Sequence, residues 1–412
     1  MTDWRPLVGI DVGSSAVSVV VAALEDDTLV VHGCGHARHD GARKGVIANL
    51  EQVSDAVRTA AEEAEAMASL PVEEVVVGIG GIPIAGYPSR ASVPVTGRDH
   101  TVTSGDIRRA LSACSQMDVP ADYRVLDIIA GAFAVDGHSG LEHPVGMPGR
   151  RLDAEAYVLF THATHADTVV QAVNRASLSV RRLVYEPLAG SAAVLSRDER
   201  ELGCLLLDVG YATTEWVLHV DGVVIATGAV PIGGRHFTAD LATFLKTTTA
   251  AAEQIKRRST ATLTREGLDV TAVEVPTLGG NGHHVHSAAV VAEVLHERAR
   301  DLLVSVHQML VKAQLDRVPR AGIVLTGGGA LLDGLEEEAE RVFGHRARLG
   351  IPRGLAGLVE PISGPEWAVA CGLVRVLGDP ERTFLTTNRA RGGLFERLRD
   401  TLNELFVFGG GS

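Results

Sequence analysis

Two rhythms of hydrophobic and polar positions divide this chain. Short apolar runs bounded by glycine, aspartate or proline read as buried strands. Longer stretches with apolar residues every three or four positions read as helices. The run Leu7-Val-Gly-Ile10 ends in Asp11, turns through Gly13-Ser14-Ser15 and resumes over 17–24. The run 204–207 does the same: Asp208 closes it, Gly210 permits a turn, Thr213 and Thr214 follow, and Trp216, Val217, Leu218 and Val220 form the return strand. Asp221-Gly222 then signals a hairpin. Helices are predicted over 50–69, 103–117, 163–176, 186–195, 236–245, 249–258, 287–318 and 365–377. The first of these puts Val53, Ala56, Val57, Ala60, Ala61 and Ala64 on one face. Thr103 with Asp106 predicts a capping box. Further strands are expected at 28–36, 73–79, 123–135, 152–160 and 180–185, with 84–95 in short pieces, 260–275 as strand and turn, and 138–149 and 278–286 as loops. Strands alternating with helices indicate an α/β fold, and 82–160 reads as a small inserted α+β domain.

The two strand–Asp-x-Gly–strand units carry the chemistry. A carboxylate at a strand end, beside a tight turn with free N–H groups and hydroxyls, suits a phosphate carrying a magnesium ion: the amides and hydroxyls hold phosphate oxygens, and the carboxylate faces the cation through water. One such triplet is ordinarily a hairpin turn. Two copies far apart suggest a duplicated domain with a nucleotide between its halves. A third loop, Ile323-Val-Leu-Thr-Gly327-Gly328-Gly329, runs from an apolar strand into a helix, where glycines let backbone approach a ligand. A Rossmann fingerprint fits less well, because the spacing differs and no later acid is placed for a ribose. Val230-Pro-Ile-Gly-Gly234 adds a further glycine turn.

Composition narrows the classes. A chain of 412 residues, 46% hydrophobic, can bury a sizeable core in more than one domain. The formal charge of -13 argues against general nucleic-acid affinity. Cys34, Cys114, Cys204 and Cys371 are scattered, which suits a reducing compartment without a disulfide framework. No signal segment is expected at the N-terminus, and no apolar run reaches the roughly 18–20 residues of a spanning helix. His32, Cys34, His36 and His39 form one group of metal-type side chains, and His283, His284 and His286 another. Neither has partners at ligand spacing, so surface or core roles are favoured over a metal.

The chain strongly resembles FtsA, the actin-like family of bacterial cell division. The segments that carry the likeness include Gly9-Ile-Asp-Val-Gly-Ser-Ser15, Lys44-Gly-Val-Ile47, Ile84-Ala-Gly-Tyr-Pro-Ser-Arg90, Pro144-Val-Gly-Met147, Glu186-Pro-Leu-Ala189 and Ile232-Gly-Gly234. Later ones are Ala252-Glu-Gln-Ile-Lys256, Val273-Glu-Val-Pro276, Leu325-Thr-Gly-Gly-Gly-Ala-Leu-Leu332 and Gly364-Pro-Glu-Trp-Ala-Val-Ala370. The resemblance implies an actin-like ATPase fold, with duplicated ribonuclease-H-like halves, around a cleft for ATP and magnesium. It implies subdomain 1A over 1–81, 161–198 and 362–384, the inserted subdomain 1C over 82–160, 2A over 199–235 and 302–361, and 2B over 236–301. Asp11 and Asp208 would face the magnesium. Gly13, Ser14, Ser15, Gly210, Thr213, Thr214, Gly234, Gly327, Gly328 and Gly329 would line the nucleotide. Glu186 would orient or activate the attacking water, and Glu253 and Lys256 would reach ribose and adenine. Residues alone make the last two a solvated helical ion pair.

The family usually reads Gly-Gly-Gly-Thr-Thr-Asp in the second phosphate loop. Here Tyr211 and Ala212 replace glycines and Glu215 replaces the aspartate. Positive φ at Tyr211 or Ala212 would cost roughly 1–2 kcal/mol, and slow or undetectable ATP turnover is expected. The resemblance further implies filament formation, binding of the FtsZ C-terminal tail through 236–301, contact with other division proteins, and a peripheral location on the inner membrane face at the septum. After a linker at 385–393, residues 394–408 form an amphipathic stretch with Leu394, Phe395, Leu398, Leu402, Leu405 and Phe406 on one face, expected to bind membrane lipid. An actin-fold metabolite kinase and a pilus-type actin-like scaffold are the alternatives.

Overall fold

A computed structural model describes residues 6–43, 45–116, 119–262, 272–279 and 282–378. Two sheets share one topology. In the first, Leu7–Val12 pairs antiparallel with Ala16–Glu25, and that strand with Thr28–Arg38. On its other side Leu7–Val12 runs parallel to Glu74–Ile79, which is parallel to Ser179–Tyr185. In the second, Cys204–Val209 pairs antiparallel with Thr214–Val220, and that strand with Val223–Val230. Cys204–Val209 also runs parallel to Gly322–Thr326, which is parallel to Ala347–Leu349. Each sheet is thus a three-strand meander followed by two parallel additions. This repeated order is the duplication that the two Asp-x-Gly units suggest. Ala356–Gly357 closes the edge of the first sheet beside Thr28–Arg38.

The strands are near-continuous apolar runs because both faces are covered. Helix Leu50–Ala68 starts at Asn49, whose side chain accepts from Gln52 N–H, and lays its valine and alanine stripe on the first sheet. Gly33 and Gly35 of that sheet leave space that the helix backbone fills, so a side chain at either would strike it. Helices Glu186–Val194 and Ala368–Gly378, built from small residues, cross where Gly372 meets the Ala189 carbonyl. The second core gathers Leu205, Leu207, Leu218 and Phe237 with Leu302 and Val306 of helix Ala288–Lys312.

The inserted segment forms its own antiparallel sheet, in the order Ile84–Pro94, Arg151–His162, Tyr123–Val135 and His138–Leu141, covered by helix Ser104–Cys114. The capping box of Thr103 and Asp106 is present. Tyr157, fully buried, reaches from this sheet to the second half, where its hydroxyl accepts from Thr227 N–H at 3.0 Å. The hairpin turn at Asp221-Gly222 forms with φ of 50° and 77°.

Several local expectations change. Residues 260–262 continue helix Thr249–Thr262, and Ala272–Pro276 is a strand; the rest of the expected strand-and-turn region, 263–271, lies outside the described residues. His283–Ser287, expected as loop, pairs with Ala272–Pro276. Its histidines lie on an exposed ribbon, which erases the apolar alternation that marks a strand. His138–Leu141 is likewise a short edge strand within an expected loop. Gly328–Leu331 is a single 3-10 turn, and the α-helix begins only at Leu335, so the three glycines do not open that helix directly. Among the described residues no helix is long and apolar enough to cross a membrane. The stretch 394–408 and Lys44 lie outside the described residues.

Candidate functional site

Asp11 and Asp208 stand near the ends of equivalent strands, so the turns after them open on the same cleft of about 920 Å³. That cleft is lined by Gly13, Ser14, Ser15, Gly210, Thr213, Gly234, Glu253, Lys256 and Gly327 to Gly329, and by Glu186. Thr214 stands apart. It is fully buried and donates its hydroxyl to the Ile232 carbonyl at 2.8 Å. Gly210 and Gly234 are stitched together by an N–H to carbonyl bond of 2.9 Å. The third loop needs its glycines for packing as well as for ligand access. Gly327 has φ of 81° and no room beside the Asp208 carboxylate, and a side chain on Gly329 would lie 2.6 Å from Val209.

The carboxylates set the electrostatics. Among the described residues neither Asp11 nor Asp208 forms an ion pair. Burial, with Asp208 alongside, pushes the Asp11 carboxyl up to about 7, and burial pushes Asp208 up to about 6. Glu186 opens helix Glu186–Val194 directly after a strand, with Pro187 in the first turn. Burial and Glu215 hold its pKa well above the usual range. Glu215 is 5% exposed; Gly81 N–H donates to its Oε1 at 2.6 Å, while Oε2 has no partner among the described residues. Burial, with Asp208, pushes it up to about 8. Gly80 makes this arrangement possible, since a side chain there would strike the Glu186 carboxylate and lie 2.7 Å from Glu215 Oε2. Bringing positive charge near these groups would favour their ionised forms.

Glu253 and Lys256 are a fixed network on the cleft wall rather than a solvated pair. Lys256 Nζ donates to Glu253 Oε2 at 2.8 Å, to the Gly234 carbonyl at 3.0 Å and to Thr238 Oγ1 at 3.0 Å. Arg257 Nε donates to Glu253 Oε1 at 2.8 Å. In the second phosphate loop neither Tyr211 nor Ala212 has a positive φ, so the left-handed strain expected there is absent. Ala212 is buried, whereas Tyr211 is 41% exposed at the cleft.

The first histidine group disperses. His32 pairs with Glu25, Cys34 packs on Met67, His36 meets Ser18, and His39 contacts Gly13. Among the described residues no cluster of three or more His, Cys, Asp or Glu side chains is arranged to hold a metal ion. Sequence reasoning missed Gly78, Gly80 and Gly81, Glu215 as a cleft acid, and His165, whose ring bonds the Gly80 carbonyl; it placed His39 only in a metal-type group, whereas its ring bonds the Gly13 carbonyl. The glycine cluster after strand Glu74–Ile79 is the signal that could have exposed them.

Comparison with known proteins identifies the architecture. The family described as "Cell division protein FtsA" matches residues 205–372, and the "SHS2 domain inserted in FTSA" matches 81–160. The "Cell division protein FtsA" of Neisseria meningitidis is 31% identical over 407 residues, covering 96% of this chain and 98% of that protein. The protein so described from Pseudomonas aeruginosa is 34% identical, covering 90% of this chain and 88% of its own. That of Escherichia coli K12 is 32% identical, with 90% of both chains covered. Among solved structures, the PilM-PilN type IV pilus biogenesis complex matches with a TM-score of 0.65 at 18% identity, over 90% of this chain and 98% of that one. MreB 5 of Spiroplasma citri bound to AMPPNP matches with a TM-score of 0.56 at 12% identity, over 92% and 97%. At such identities the structures speak for the actin-like ATPase fold, and the sequence matches for the family. The chain belongs to the FtsA family of cell-division proteins, an actin-like fold carrying that family's inserted domain.

Proposed function

We propose that the cleft binds ATP with magnesium, and that the protein uses the bound state to assemble into filaments that tether FtsZ to the inner face of the membrane at the septum. The observation that carries the reading is the facing of Asp11 and Asp208, two carboxylates without a cationic partner among the described residues, at the meeting of three glycine loops. Their arrangement fits a cation. Magnesium, when bound, supplies positive charge that offsets the phosphates, and Asp11 and Asp208 are the residues that would hold it. The loops at Gly13 to Ser15 and at Gly210 with Thr213 would present amides and hydroxyls to the phosphates. The Glu253–Lys256 wall would meet ribose and adenine. Glu186 would orient the attacking water and, in its ionised form, would accept its proton. Turnover is proposed to be slow, with the Tyr211 ring rather than backbone strain as the remaining reason.

The subdomain limits implied by the resemblance are proposed for this chain, with 236–301 receiving the FtsZ tail peptide and 394–408 lying on lipid. The apolar side chains of 394–408 would contribute roughly 1.5–3 kcal/mol each before ordering costs, enough for reversible attachment that filaments strengthen by presenting many tails. Calorimetric titration of the full chain with magnesium and ATP tests the core of the proposal. Saturable binding at physiological nucleotide concentration is expected, and its absence rejects the cleft reading. Flotation with lipid vesicles tests the tail: the full chain should float, and a chain ending at Arg391 should not.

A further inference from the structure

His39 is 8% exposed and lines the cleft between the first phosphate loop and the hairpin of Ala42–Arg43 and Val46–Ile47. Gly41 N–H donates to its Nδ1 at 3.1 Å. A ring nitrogen that accepts carries no proton, so the neutral ring is protonated on Nε2. Nε2–H therefore donates to the Gly13 carbonyl, 3.0 Å away. The His39 backbone N–H donates to the Ser15 carbonyl, also at 3.0 Å. One residue thus holds the loop on both sides of Ser14.

The consequence follows from peptide geometry. Among the described residues no peptide bond is cis, and in a trans peptide C=O and N–H point in opposite directions. Ser14 lines the cleft, and holding the Gly13 carbonyl against His39 turns the Ser14 N–H away from that ring. Among the described residues no protein group accepts from it. The Gly80–Gly81 peptide carries the same device with its outer partner in place. His165 Nε2 lies 2.9 Å from the Gly80 carbonyl, and the opposite face, Gly81 N–H, bonds to Glu215 Oε1. At Gly81 the outward amide meets a protein carboxylate; at Ser14 it is left for an anion from outside. We propose that His39 is the positioning residue of the first phosphate loop, aiming the Ser14 amide at a nucleotide phosphate. This inference rests on the nucleotide reading of the cleft.

The test compares full-length wild type, His39→Gln and His39→Asn for affinity toward magnesium-ATP and toward adenosine, by competition against a fluorescent nucleotide. Glutamine places an N–H donor where Nε2 stood, whereas asparagine replaces only the Nδ1 acceptor. His39→Asn should weaken ATP roughly tenfold and adenosine by less than about twofold; His39→Gln should recover ATP to within about threefold of wild type. Equal ATP affinities for the two variants, or an equal loss for adenosine, would reduce His39 to support of the fold and overturn the inference while leaving the nucleotide reading standing. A wild type that does not bind ATP overturns both. Histidine-selective 15N spectra of the wild type must show the Nε2–H form at His39. An Nδ1–H signature would refute the inference whether or not either variant folds.

Discussion

Asp106 in the inserted domain and Asp208 in the cleft are both largely enclosed acids, and their surroundings are opposite. Asp106 accepts from Thr96 N–H at 3.1 Å, Thr96 Oγ1 at 3.0 Å, Thr103 N–H at 2.8 Å and Thr103 Oγ1 at 2.6 Å, with Arg109 alongside. Burial pushes its pKa up, but the bonds from Thr103, Thr96 and Arg109 outweigh this and hold it well below the usual carboxylate range. Among the described residues Asp208 has no such shell, and burial leaves it raised. A fold that can surround a carboxylate with donors in one place leaves it bare in another. A saturated acid secures a helix start; an unsaturated one costs stability until something positive arrives. The distinction predicts opposite responses to the same kind of substitution.

The largest effect is expected at Asp208. Asp208→Asn should lower magnesium-ATP affinity by at least about a hundredfold, read by calorimetry. Without ligand, its melting temperature should equal or exceed that of wild type, because an unpartnered charge is removed. A clear drop in that temperature would mean that Asp208 is structural after all, and the contrast would fail.

Asp106→Ala should do the reverse. Stranding buried donors and deleting a capping box should destabilise by about 2–4 kcal/mol, read by thermal unfolding, with ATP affinity within about threefold of wild type. If nucleotide binding fell with it, the inserted domain would be coupled to the cleft more tightly than its separate core suggests.

The contrast extends to pH. Acids whose folded pKa is raised bind more protons folded than unfolded, so they remove stability as pH climbs from about 4, the unfolded value, to the folded value. With Asp208 near 6, Asp11 near 7 and Glu215 near 8, the ligand-free protein should lose stability from about pH 4 to about pH 8. Asp106 has the opposite sign, contributing stability above about pH 4 that is lost as pH falls toward its depressed folded value. Thermal unfolding across this range should slope downward, by at most about 1.4 kcal/mol per pH unit for each group in transition. Asp208→Asn should flatten the slope, and a slope unchanged by that variant would count against the assignment.

The legible parts of this molecule were those written in local pattern. Both Asp-x-Gly turns, the Thr103–Asp106 box and the stripe of helix Leu50–Ala68 follow from spacing within a few residues. What stayed hidden depends on partners far away in sequence. Glu215 lies opposite Asp208 in the sheet, yet its role depends on Gly81, which no local pattern connects to it. Thr214 carries a hydroxyl of the right kind, but its alternation along the strand turns it onto Ile232. The strain expected at Tyr211 assumed a glycine conformation that this loop does not use. A His-rich strand such as His283–Ser287 gives no apolar alternation to read.

The smallest effect sharpens the contrast from inside the cleft. Glu253 lines the same cavity as Asp208 but is saturated like Asp106. Burial pushes its pKa up, yet bonds from Lys256, Thr238 and Arg257 outweigh this and bring it down to about 2. Its charge is already spent on Lys256 and Arg257, so little of it is available to a nucleotide. Glu253→Gln keeps the shape and an acceptor for Lys256, and should change ATP affinity by no more than about threefold. The same calorimetric titration decides it. A loss approaching that of Asp208→Asn would mean that position in the cleft, and not saturation of the carboxylate, determines which acids matter. A threefold change or less would leave saturation as the better guide, with Asp11, Asp208, Glu186 and Glu215 as the acids that respond to ligand charge.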